Sequence, residues 1–133
     1  MSALRMLLLP LVYVWASPAS LIGLVVGLSG LLTGGGCQIR RGALEFHGGL
    51  VKRALSSRWI HARAMTLGHV ILGCSTQDLA ATRDHEHVHV SQYTRWGPFF
   101  IPAYLLCSAV LWLRGYDAYL DNPFEVEAFE KFP

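Results

Sequence analysis

The chain has 133 residues and a net charge of +2, with 53% hydrophobic and only 15% charged residues. That length holds one folded domain, and so small a net charge says little about partners, among which nucleic acid is not expected. The charged fraction lies below the roughly 25% usual for a soluble domain, so membrane lipid is the expected surroundings of part of the chain.

Residues 4–33 are almost wholly apolar and longer than the roughly 20 residues one span needs, but Pro10 and Pro18 interrupt them. They predict a kinked membrane helix or a re-entrant helical hairpin, with residues 1–36 as a membrane-associated segment and 37–133 as the folded domain. A cleaved signal peptide fits less well, because the front is weakly charged and no small-x-small site precedes a polar start. Arg40, Arg41, Lys52, Arg53, Arg58 and Arg63 follow, against the single acid Glu45. Basic flanks mark the cytoplasmic side and can lie against anionic lipid, so the expected location is a bacterial inner membrane with the domain on its cytoplasmic side. Cys37, Cys74 and Cys107 show no pairing spacing, which suits free thiols in a reducing compartment. The Gly34–Gly36 run before Cys37 hints at a lipoprotein, but Gly34 stands where a lipobox wants leucine.

Between Gln38 and Gly73 short apolar runs alternate with glycine. Residues 43–47 and 65–72 read as two strands, expected to pair as a small antiparallel sheet. Ser75 and Thr76 offer N-cap hydroxyls to a helix running to about Trp96, where Gly97-Pro98 stops it. A second apolar stretch, Phe99 to Leu113, is short for a span and reads as a buried or half-embedded helix. Asn122 caps a last helix with Pro123 at its first position. The expected class is α+β: an N-terminal membrane helix or hairpin, a small antiparallel sheet, then three helices.

The second half carries the chemistry in His85-Glu86-His87-Val88-His89. On a helix, residues four apart share a face, so His85 and His89 can offer two imidazole nitrogens to one zinc ion. Glu86 can then reach water at that ion and take its proton, the division of labour that gives an H-E-x-x-H helix its mechanism. His87 points away. A catalytic zinc needs a third protein ligand, and no histidine follows His89.

Asn122 to Phe129, together with the His85–His89 motif, resembles the third-ligand helix of gluzincin metallopeptidases, in particular the membrane-bound CAAX prenyl proteases and their bacterial heat-shock relatives. The resemblance covers roughly residues 76–130. It implies a zinc-dependent hydrolase of peptide or protein substrates, with His85, His89 and Glu125 as zinc ligands and Glu86 as general base. Glu127 is the alternative third ligand, since the two glutamates cannot face one ion together. Glu125 could instead close a capping box with Asn122. Ala128 matches the family pattern, whereas Phe129 replaces the aspartate expected behind a ligand histidine. Gln92, Tyr93, Tyr116 and His69 are candidates to support a ligand or an oxyanion. The competing expectation is a non-catalytic membrane protein that keeps zinc for stability or partner binding.

Overall fold

The computed structural model describes residues 3–132 and is α+β. Its helices are α1 (Ala3–Trp15), α2 (Ser17–Leu32), α3 (Gly49–Leu55), α4 (Thr76–Trp96), α5 (Phe100–Leu113) and α6 (Pro123–Lys131). Strands β1 (Gly36–Arg40), β2 (Ala43–His47), β3 (Ala64–Leu67) and β4 (Val70–Gly73) form one sheet in the order β1-β2-β4-β3.

The sheet is mixed, which corrects the antiparallel expectation. Residues 65–72 contribute to two strands, because Gly68 and His69 make a two-residue turn that pairs Leu67 with Val70. Gly68 takes φ +65°, a conformation that suits glycine at the first position of such a turn. β4 therefore runs back along β2 in parallel, with Leu44 opposite Val70 and Phe46 opposite Leu72. β1, unread in the glycine-rich sequence, joins β2 through the turn Arg41-Gly42, both at positive φ.

Side chains alternate across the sheet, so each face has its own cover. Phe46, Val70 and Leu72 pack with Val51 and Leu55 of α3 under α2. Ala43 and Ile71 pack with Leu79 of α4 on the opposite face. Buried Glu45 on that face is held by Arg83 of α4 through two contacts of 2.9 and 3.0 Å.

α2, grouped by sequence with the membrane segment, covers the first sheet face closely. Gly27 lies so near Phe46 that a Cβ there would come within 2.3 Å of the ring. Its other face exposes Leu21, Val25, Leu28 and Leu32. Hydrogen bonds continue through the junction with α1, from Ala16 N to Val12 O and from Ser20 N to Ala16 O. A kinked helical path, with Pro10 inside α1 and Pro18 opening α2, is therefore formed in place of a reversing hairpin. Separately, α1 and α2 have 13 and 16 residues. Among the described residues, the run Thr76–Leu113 is long and apolar enough to cross a membrane by length and composition, and 11% of its apolar window is buried. That run bends at Gly97, and its apolar part is α5.

Candidate metal centre

Ser75 caps α4, its hydroxyl accepting from Asp78 N at 3.1 Å. One turn separates His85 from His89 on this helix, so both rings leave the same side, with centroids 5.1 Å apart. The opposing carboxylate comes from α6. Asn122 caps that helix by accepting from Phe124 N, while its amide donates to Tyr104 O and Ser108 Oγ of α5. Asn122 is fully buried, so the start of α6 is tied to α5 and Glu125 is carried to the histidines.

One oxygen, Glu125 Oε2, lies 3.1 Å from His85 Nε2 and 3.1 Å from His89 Nε2. The three groups each offer one ligand atom, all within 4.8 Å of one another. Ligand atoms around a tetrahedral zinc stand roughly 3.3 Å apart, given bonds near 2.0–2.2 Å, so this donor set fits such an ion with little adjustment. The remaining oxygen, Oε1, accepts from the Tyr104 hydroxyl at 2.8 Å.

The network also sets the His89 tautomer. Gln92 donates its amide to Phe124 O at 2.8 Å and to Glu127 Oε1 at 3.0 Å, both acceptors, so its Oε1 must face His89 Nδ1 at 2.8 Å. Nδ1 is then the donor, and Nε2 points its lone pair at the shared locus, the state a metal ligand requires. Without a cation, a hydrogen bond from Nε2 to Glu125 needs a second proton on the same ring. Burial pulls the His89 imidazole down, but the hydrogen bond and charge of Glu125 outweigh it and hold the imidazole above its ordinary value. Burial likewise pushes Glu125 up, and the two histidines with Tyr104 bring its pKa down to about 2.

Glu86 lies beside this locus in a cavity of about 380 Å³, lined in addition by His89, Glu125, Tyr104, Tyr119 and β3. Thr66 of β3 donates its hydroxyl to Glu86 Oε2 at 2.6 Å. Burial drives the Glu86 carboxyl above its ordinary pKa, against His89 and Thr66, which favour the charged form.

Four expected residues therefore meet: His85, His89, Glu125 and Glu86. Glu127 does not face the locus; it accepts from Gln92 and pairs with Arg95 at 2.6 Å. Tyr93 turns its hydroxyl to Thr66 O at 3.2 Å and packs with Phe100, so it supports β3 and offers no oxyanion contact. Tyr116 is exposed and lies outside the cavity lining, and His69 stacks on Tyr13 at 4.1 Å, away from the cavity. Phe129 sets its ring 4.7 Å from His85, where the resemblance wants a carboxylate. Tyr119, which the sequence offers beside Tyr116 as a possible oxyanion donor, lines the cavity, whereas Thr66, Tyr104 and Asn122 escape a reading of the sequence as site residues, because a lone hydroxyl or amide in an apolar or capping stretch carries no spacing signal. Comparison with family models, curated proteins and solved structures found no match.

Proposed function

We propose that this protein is a membrane-associated, zinc-dependent metallopeptidase of the gluzincin kind. The observation that carries the reading is the single oxygen of Glu125 standing 3.1 Å from the Nε2 atoms of both histidines. A zinc ion held by His85, His89 and Glu125 would supply a Lewis acid that acidifies water and polarises a carbonyl. Glu86 takes the proton from the attacking water and returns it to the leaving amine, with Thr66 holding the carboxylate in line. Tyr104 and Gln92 keep Glu125 and His89 oriented. β3 is an edge strand of the sheet and lines the cavity, so an extended peptide can add to it as a further strand and pass its backbone before Glu86. The apolar faces exposed on α2 and α5 support attachment to a membrane, which we place as a bacterial inner membrane with the metal centre on its cytoplasmic side.

Zinc content measured beside peptide hydrolysis tests the reading. Glu86→Gln should keep zinc at one per chain and lower hydrolysis by about 100-fold or more. Unchanged hydrolysis in that variant overturns the mechanism. Phe129 favours a second reading, in which zinc is structural, because the His85 ring rests on an aromatic face at the position where the resembled group has a carboxylate. Stoichiometric zinc with no cleavage of any peptide in a diverse library would establish that alternative.

A further inference from the structure

The loop between α3 and β3 leaves Trp59 85% exposed and Ile60 42% exposed, although both also line the cavity beside Glu86. Its backbone is held: His61 N donates to Ser57 O at 2.7 Å, and Ala62 N to Leu55 O at 2.8 Å. His61 sits at φ +48°, an uncommon conformation for a side chain of its size, which closes the loop with Trp59 outward. Across the mouth stands Leu105 of α5, 59% exposed, and it leads to Leu106, 66% exposed. The rim of the cavity is thus apolar on both sides and continuous with the apolar surface of α5.

The charged residues of this loop and of the chain on either side of it have one sign. Lys52, Arg53, Arg58 and Arg63 are exposed, and the sequence holds no carboxylate between Glu45 and Asp78. Asp78 is taken up by Arg63 at 2.7 Å. Arg58 lies over the Trp59 ring at 5.4 Å. An indole beside a guanidinium is the pairing found at the headgroup level of bilayers, where the ring faces the acyl chains and the cation the phosphates. A protein partner would meet the three unpaired cations with its own acids and bury the indole in a pocket, whereas an anionic lipid surface satisfies both through one layer.

We propose that the Ser57–Ala62 loop docks into the headgroup layer of an anionic membrane and turns the cavity mouth toward it.

The test uses the full chain reconstituted in phosphatidylcholine vesicles with and without phosphatidylglycerol. A variant with Trp15, Trp96 and Trp112 changed to Phe leaves Trp59 as the only indole. Its emission should be quenched several-fold more by lipids brominated near the headgroup end of the acyl chain than by unbrominated lipid, and Arg53→Glu with Arg58→Glu should remove most of that quenching in the anionic vesicles. Trp59 emission quenched by aqueous iodide as fully as free tryptophan, and untouched by brominated lipid, overturns the docking. Should the triple substitution unfold the chain, fluorotryptophan in the unsubstituted chain, assigned with Trp59→Phe, replaces it: broadening of the Trp59 resonance by paramagnetic lipid supports the docking, and a resonance left sharp overturns it.

Discussion

Gln92 Oε1 sits 2.8 Å from His89 Nδ1, and the same side chain reaches Phe124 O from its amide. One residue therefore fixes a histidine tautomer on α4 and holds the first turn of α6, which carries Glu125. Gln92→Leu removes both. Zinc affinity should fall about 10- to 100-fold. Apo stability should fall by roughly 1–3 kcal/mol, since buried polar partners are left unpaired. Competition titration with a chelating dye and thermal melts in EDTA measure the two effects separately, and an unchanged affinity would show that His89 holds its orientation without Gln92.

Glu125 and Glu127 are two residues apart and have different surroundings. Glu125→Gln should abolish stoichiometric zinc, because the shared oxygen between the histidines becomes a neutral amide. Glu127→Gln keeps the locus intact and disturbs the partly exposed pair with Arg95, which is worth about 0–1 kcal/mol. Zinc retained by the first variant and lost by the second would reverse the assignment.

The pH dependence of the metal-free chain follows from the two shifts. Glu125 has its pKa lowered from 4.5 to about 2, so its contribution to stability is present above 4.5 and is lost as pH falls through about 2. His89 is raised from 6.5, so its contribution is full below 6.5 and is lost as pH rises through the raised value. In EDTA the contribution of the pair should therefore be greatest between 4.5 and 6.5. Zinc requires neutral imidazoles, so the rise in Tm it produces should grow as pH rises from about 5 to about 8. A zinc effect that shrinks over that range would rule out histidine ligation.

Gly27 tests the packing of α2 on the sheet. A Cβ at this position would stand 2.3 to 2.6 Å from three carbons of the Phe46 ring. Gly27→Val should destabilise the fold by about 1–3 kcal/mol or more, beyond any gain in helix propensity. Leu28→Val, on the exposed face of the same helix, should change it far less. Equal losses measured by denaturant unfolding in detergent would mean that α2 does not cover the sheet.

Local patterns are readable directly. Ser75 and Gly97 bound α4, Asn122 and Pro123 open α6, and four-residue spacing puts His85 and His89 on one face, because each depends on residues within a turn or two of one another. The likeness of residues 122–129 to a known ligand helix favours Glu125 but leaves Glu127 open. Other features depend on contacts between distant segments. The parallel pairing of β2 with β4 needs the turn at Gly68-His69, which an unbroken apolar run from Met65 to Leu72 conceals. The bonds from Gln92 to Phe124, Tyr104 to Glu125 and Thr66 to Glu86 join elements 20 to 32 positions apart in the chain. The sequence by itself thus determined the helices and the two imidazoles on one of them, since those are short-range properties of the chain. Only the tertiary structure decided which carboxylate meets them, which nitrogen of His89 is free, and that the cavity opens through an apolar rim, since these depend on α5 and Asn122 holding α6 against α4.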